Sequence, residues 1–395
     1  MKGRVLITTG LQRKTLAAAT NLKKRGLEVT VGDSSILAPA LWSKYCDKRL
    51  IYPSSRYKPI EFVDCLLAEV KKTKYDLLLP ASEAEIYLVS KYKHEFEEYT
   101  NVAAVDFDLL MLARDKAETM KAAMNCGIPC PHTYIFETLE QLEEIKDDIE
   151  PPVVIKPRIA SGGRGLAIVH DKTKIVSEYH KTHINYPFPI IQEYIPSNEY
   201  GSVTNCILDK SGKLITAFSY RRIREFPVKA GASTFVESVR RPEQEEIAYR
   251  FLKSIGWYGL GMLEFRIDSR DGKPKIIELN ERLNASTKLS ILSGVEIPFL
   301  LYQLFVHSEV EPVTEYKVGM RCRWLWPGDV LHFLTNPDRF RLETSFFHFF
   351  DKDTRYEFLN LDDPLPAIAW TLWMLSNLFN VTILKDFIFR RYSKR

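Results

Sequence analysis

Gly261-Met262-Leu263-Glu264-Phe265-Arg266-Ile267-Asp268, a polar link, and Lys275-Ile276-Ile277-Glu278-Leu279-Asn280-Glu281-Arg282 form the stretch that decides the fold. Each half alternates apolar and polar residues, as a strand with one buried face does. The link, Ser269-Arg270-Asp271-Gly272-Lys273-Pro274, carries an Asp-Gly turn signal, so the halves are predicted to pair as a β-hairpin. Centred on Asp271, the hairpin sets Glu264 opposite Glu278, and Asn280 and Arg282 follow on the same face at period two. Two carboxylates across a ladder repel each other unless something positive lies between them. A hard, oxygen-seeking cation such as Mg²⁺, held by Glu264, Glu278 and Asn280 and sharing phosphate oxygens, resolves that repulsion. A solvated polar face is the plainer alternative.

The chain around this hairpin is that of an ordinary globular protein: 395 residues, 45% hydrophobic and 27% charged. That length is enough for two or three units with ample core. A net charge of +4, from 55 basic and 51 acidic residues, gives no footing for nucleic-acid binding. Six cysteines are scattered without a CxxC pair, which fits reduced thiols in a cytosolic compartment rather than a disulfide framework or zinc site. Val5-Leu6-Ile7 at the start reads as a strand, too short a run for a signal peptide.

Upstream, Val5 to Gly10, Leu27 to Asp33 and Asp76 to Pro80 read as strands, with helices over Lys14 to Arg25, Ile60 to Lys72 and Glu83 to Tyr92. This alternation predicts a small doubly wound parallel sheet. The turn Thr9-Gly10-Leu11-Gln12-Arg13 lacks the G-x-G-x-x-G fingerprint, which argues against NAD; the region is expected to lend a wall to a substrate pocket. Asp115 reads as the N-cap of a helix, and Lys116 in its first turn opposes the helix dipole unless a phosphate lies nearby. Val153-Val154-Ile155-Lys156 is a strand running into Ala160-Ser161-Gly162-Gly163-Arg164-Gly165, a glycine-rich flap whose backbone N–H groups are suited to phosphate, although it is no Walker loop. Ile190 to Ile195 is a strand that ends at Pro196, and Val203 to Leu208 with Leu214 to Tyr220 is a second hairpin. The basic stretch Arg221 to Gly231 reads as a loop, either delivering cations to phosphate or simply solvated.

The order of these pieces resembles the ATP-grasp superfamily, particularly its carboxylate–amine ligases and the synthetase domains of carbamoyl-phosphate synthase. The matching residues are Asp115-Lys116, Val154-Ile155-Lys156-Pro157 with Ser161 to Gly165, Gln192-Glu193-Tyr194-Ile195, and the opening hairpin from Gly261 to Arg282. The resemblance implies an α/β fold: an N-terminal Rossmann-like pre-grasp domain over 1–105, a two-subdomain grasp fold over 106–310 (small subdomain 106–190, large subdomain 191–310, α+β in character) and a C-terminal helical extension over 311–395. It implies that Lys116 and Lys156 contact the phosphates of ATP, with Ser161, Gly162, Gly163 and Gly165 closing over them. Glu193, Tyr194 and Ile195 correspond to the hinge whose backbone reads adenine, Glu199 to the acid on the ribose, and Leu263 to the residue under the adenine ring. Glu264, Glu278 and Asn280 correspond to the ligands of Mg²⁺, with Mn²⁺ as a substitute. Arg282 corresponds to the arginine on the transferring phosphate, alongside either Lys229 or Arg222. Glu281 departs from the family, which usually has proline there.

The implied reaction joins a small-molecule carboxylate to an amine through an acyl-phosphate, with an amino acid or an envelope precursor as suggested substrates. Bicarbonate-phosphorylating chemistry and a non-catalytic ATP-binding module are the alternatives. In the C-terminal part, Arg321 to Asp329 mixes arginines with tryptophans and is placed against the substrate side; Phe346 to Phe350 reads as core or interface. Leu365 to Leu384 is uncharged and precedes Lys385, Arg390, Arg391, Lys394 and Arg395. It is read first as a helix packed on the protein or on a homodimer mate. An interfacial helix on the inner face of a membrane, through 365–395, and a span are the other choices.

Overall fold

The computed structural model describes residues 3–160, 162–228 and 231–377. Three sheets organise it. The first is parallel, in the order β3-β2-β1-β4-β5, from β1 (Arg4–Ile7), β2 (Glu28–Asp33), β3 (Lys48–Ile51), β4 (Leu77–Leu79) and β5 (Asn101–Val102). Val5, Leu6 and Ile7 are wholly buried, as expected of a central parallel strand covered on both faces. Strands β3 and β5 escape the sequence reading because they are edges with little apolar character: β3 is Lys-Arg-Leu-Ile and β5 only Asn-Val.

The second sheet is small and antiparallel, in the order β6-β9-β7-β8: β6 (Thr133–Tyr134), β7 (Val153–Lys156), β8 (Ala167–Val169) and β9 (Ile190–Glu193). The third has seven strands in the order β14-β13-β10-β11-β12-β15-β16. They are β10 (Ser202–Leu208), β11 (Leu214–Phe226), β12 (Ala232–Ser238), β13 (Gly259–Ile267), β14 (Pro274–Asn280), β15 (Arg321–Arg323) and β16 (Thr354–Tyr356). One apolar cluster joins the first sheet to the third, uniting Val5, Ile7, Leu22 and Val31 with Val203, Phe218, Val236 and Leu289.

Two expectations change here. The basic stretch after Tyr220 is not a loop: β11 continues to Phe226, with irregular register against β12 at Arg222/Arg224 and Arg224/Glu225. Those bulges break the period-two pattern that marks a strand in sequence. The C-terminal part also supplies strands as well as helix, because β15 pairs with β12 and β16 with β15. It ends, within the described residues, on the helix Leu365–Ser376, packed by Trp370 against Phe358. No helix among the described residues is long and apolar enough to cross a membrane. The expectations placed on Ser161, Lys229 and residues 378–395 fall outside the described residues.

Candidate functional site

In the β13–β14 hairpin, Glu264 lies opposite Glu278 and Met262 opposite Asn280, the pairing that a turn at Asp271 requires. After Glu264 a bulge shifts the register, so that Phe265 faces Ile276. Met262, Glu264, Glu278 and Asn280 line one cavity of about 840 Å³, near the upper end of the range for small-molecule pockets (about 300–1,000 Å³).

The facing carboxylates are balanced by cations of the chain itself. Arg222 Nη2 lies 2.7 Å from Glu264 Oε2, and Lys116 Nζ lies 3.3 Å from Glu278 Oε1. Lys116 also donates to the Ala160 carbonyl at 2.7 Å, which ties the flap's base to the hairpin. Lys156, at the end of β7, is only 6% exposed and approaches the Ile277 carbonyl at 3.4 Å. Burial, and then the neighbouring Lys116 charge, bring its ammonium down to about 7. Burial works against the Arg222 charge too, but Glu264, Tyr220 and Glu225 together hold the guanidinium above its ordinary value. Glu225, 3.7 Å from Arg222, is pushed up to about 7 by burial. The site thus concentrates desolvated cations around two carboxylates, an arrangement short of anionic ligand oxygens.

The donor set suits magnesium. Two carboxylates and one amide are hard oxygen donors on one wall, and no cluster of three His, Cys, Asp or Glu competes among the described residues. A metal held here would complete its shell from ligand phosphates and water, as Mg²⁺ prefers.

Other expected residues distribute unevenly. Gly162 and Gly163 line the cavity and Gly165 does not; all three take positive φ (67°, 73° and 70°), which only glycine adopts without strain. Glu193, Tyr194 and Ile195 line it as well. The Glu193 and Tyr194 N–H groups are already committed, to the carbonyls of His132 (2.8 Å) and Pro152 (3.1 Å), so adenine recognition by the hinge cannot use those two donors. The Glu193 carboxylate is held by Arg270 and Lys275. Arg282 is in the wall, 3.8 Å from Glu83.

Two placements are corrected. Leu263 is wholly buried in the cluster behind the sheet with Phe251, Leu252 and Trp257, because its side chain alternates away from that of Glu264. Met262 and Arg266 occupy the cavity side instead. Glu199 is not in the wall; Arg241 Nη2 holds its Oε1 at 2.6 Å.

Residues that sequence reasoning did not single out include Lys14, Glu83, Phe358, Trp370 and Trp373, all in the wall, and Trp324 joins them from the stretch expected on the substrate side. The expectation that the N-terminal turn lends a wall is met by Leu11 to Lys14. Nothing local in sequence marks Lys14 apart from other lysines at helix starts.

Comparisons with known proteins agree with this geometry. Residues 113–286 match the family model described as the ATP-grasp domain, and residues 5–105 match the PylC-like N-terminal domain. The chain is 24% identical over 320 residues to a D-aspartate ligase of Enterococcus faecium, covering 75% of each. It is 25% identical over 256 residues to the carbamoyl phosphate synthase large chain, N-terminal section, of Methanopyrus kandleri, covering 58% of this chain but only 45% of that one. Among solved structures, a biotin carboxylase β,γ-ATP complex from Campylobacter jejuni superposes with a TM-score of 0.67 at 17% identity, over 81% of this chain and 74% of that one. The ADP complex of N5-carboxyaminoimidazole synthetase from Staphylococcus aureus superposes with 0.63 at 14% identity, over 81% and 82%. At such identities these two structures bear on the fold alone.

Proposed function

We propose, from the match of residues 113–286 to the ATP-grasp domain family, that this chain is an ATP- and Mg²⁺-dependent carboxylate–amine ligase working through an acyl-phosphate. The observation that carries this reading is the facing pair Glu264 and Glu278 with Asn280, set among Lys116, Lys156 and Arg222 in one cavity. The names of the relatives support the reaction class, since a D-aspartate ligase is among them.

Lys116 and Lys156 hold the nucleotide phosphates, and Lys156 gains there an anionic partner in place of the single carbonyl it approaches. The substrate carboxylate attacks the γ-phosphorus in line, forming the C–O–P bond as the bond to ADP breaks. Arg222 and Arg282 offset the charge gathering on the transferring oxygens. An amine then attacks the acyl carbon, phosphate departs, and the nitrogen loses a proton to leave the amide. The glycine flap restricts water that would hydrolyse the acyl-phosphate. Glu264, Glu278 and Asn280 would hold Mg²⁺, which would supply charge neutralisation for the phosphates.

The test is ADP release with pooled carboxylates and amines, comparing the natural protein with Glu278→Ala. Magnesium-dependent release that a pool stimulates and Glu278→Ala abolishes supports the ligase. Binding of ATP with no stimulated release by any pool sinks it in favour of a binding module, and stimulation by bicarbonate alone moves it to carbamoyl-phosphate-type chemistry.

A second reading concerns location. On the helix Leu365–Ser376, Leu365, Ile368, Leu372 and Leu375 stand about half exposed at one helical face, just before the basic residues of the C-terminus. We take this face to touch an anionic membrane surface, with a homodimer mate as the competing cover. Sedimentation with phosphatidylglycerol vesicles decides: pelleting supports the membrane, whereas a soluble dimer by light scattering rejects it.

A further inference from the structure

The ligase chemistry leaves one group of cavity residues without a role. The helix Arg13–Lys24 opens at the cavity, with Leu11, Gln12, Arg13 and Lys14 in the wall. Its N-cap, Gln12, makes no side-chain cap, and no acidic residue stands in its first turn. A helix start of this kind leaves its N–H groups and the positive end of the dipole facing whatever enters. By itself that is no site.

The second observation is Lys14. It is 6% exposed, and among the described residues no hydrogen-bond acceptor or carboxylate lies within bonding distance of its ammonium. Buried lysines are rare without a partner, because the charged form loses its hydration. Burial, and next the charge of Arg282, pull it to about 7. Of the acids that act on it from a distance, Glu281 comes first, a carboxylate whose buried Oε1 has no hydrogen-bond partner among the described residues; the other two are engaged elsewhere. Glu83 pairs with Arg114 (3.5 Å) and Arg282 (3.8 Å), and Glu85 accepts from Tyr52 at 2.9 Å and from Thr9.

The third observation is aromatic. Arg13 donates to the Ser233 carbonyl at 2.8 Å and lies 4.4 Å above the Trp324 ring. Phe358, Trp370 and Trp373 form a parallel stack, with centroids 5.0 and 5.3 Å apart and planes inclined by 15° at each step. All four rings line the same cavity, and the buried Trp370 Nε1 has no acceptor among the described residues. A buried donor without an acceptor is expected to find one in a ligand or water.

We propose that Lys14, Arg13 and the open first turn bind an anionic group of the substrate, and that Trp324, Phe358, Trp370 and Trp373 receive a flat ring attached to it. The substrate class is therefore a ring-bearing anion. This deepens the ligase reading and rests on it only in that the anion belongs to one of the two molecules joined. The ring extends the indole stack, and the anion gives the Lys14 ammonium the direct partner it has nowhere among the described residues.

Isothermal titration calorimetry with three probes tests this, after MgADP has been titrated and then held in excess to fill the nucleotide site. The probes are phenyl phosphate, inorganic phosphate and phenol. Phenyl phosphate is expected to bind at least tenfold more tightly than either fragment, and at least tenfold more weakly to Lys14→Met and to Trp373→Leu. Circular dichroism melts report folding, and Lys14→Met removes a buried charge rather than a packing contact. Equal binding of phenyl phosphate and phosphate overturns the ring half, and unchanged binding to Lys14→Met overturns the anion half. Failure of MgADP to bind would count against the ligase reading, while the dependence on Lys14 still decides this one.

Discussion

Replacing Lys156 by methionine should make the protein more stable and worse at holding a nucleotide, and the two effects have one cause. Lys156 sits near 7 instead of 10.5 because burial and Lys116 disfavour its charge. A lysine lowered on folding penalises the native state. The penalty is present in full below pH 7, shrinks as pH rises towards the unfolded value, and is gone above it. At pH 7 it amounts to about 4 kcal/mol as an upper figure, from about 3.5 units at 1.36 kcal/mol each less the half-titration term. Lys156→Met removes it, so urea denaturation of the ligand-free variant should show a higher midpoint at pH 7, with the difference narrowing towards pH 10.

Binding reads the same charge in reverse. A phosphate needs the ammonium form, so at pH 8, where free Lys156 is mostly neutral, ADP binding should take up about 0.9 of a proton; at pH 6 the figure falls to about 0.1. The nucleotide phosphates contribute little at pH 8, being already ionised above a second pKa of about 6. Calorimetry in buffers of different ionisation enthalpy measures the uptake. Lys14 and Glu225 titrate in the same range, so the difference between natural protein and Lys156→Met isolates Lys156. The variant should lose that uptake at pH 8 and about 1.5–3 kcal/mol of ADP affinity, the range for a charge-assisted hydrogen bond. If uptake persists in the variant and affinity moves less than threefold, Lys156 does not hold phosphate and the reasoning is wrong.

Asp329 lies wholly buried between two buried arginines, with Arg224 Nε at 2.6 Å and Arg323 Nε at 2.5 Å, so Asp329→Ala strands both guanidiniums. Urea denaturation should record a loss of about 3–5 kcal/mol, and a loss under 1 kcal/mol would reject the triad as a stabilising contact. Leu263→Ala should cost about 2–5 kcal/mol of stability as a core truncation and leave ADP affinity within twofold. Met262→Ala, on the cavity side, should weaken ADP measurably in the same calorimetric titration; the opposite pattern would return Leu263 to the nucleotide.

How far the sequence was legible depends on the range over which each feature is encoded. The Glu264–Glu278 pairing was readable because a period of two and an Asp-Gly turn are local signals. The bulge after Glu264 had no such signal, and it changes which residue faces Ile276. Leu263 could have been assigned to the core from alternation alone, since its neighbour Glu264 was already placed in the site; the family pattern overrode the period. In β11 the bulges around Arg224 hide the strand, and three closely spaced arginines take different partners. Arg221 turns to Glu237, Arg222 to Glu264, and Arg224 to Asp329. Lys14 and Trp370 are more than 350 positions apart, and only the packed fold brings them to one cavity.

That separation has a functional consequence. Lys116, Lys156, the facing carboxylates and the flap all lie within residues 113–286, the part matching the ATP-grasp domain. Arg13 and Lys14 lie before it, and Trp324, Phe358, Trp370 and Trp373 lie after it, Trp324 directly following β15, which extends the seven-stranded sheet from β12. The aromatic wall is therefore built by chain segments other than the one that carries the facing carboxylates. The stretch that matches the ATP-grasp domain takes in the facing glutamates and leaves both the helix start and the aromatic rings outside it.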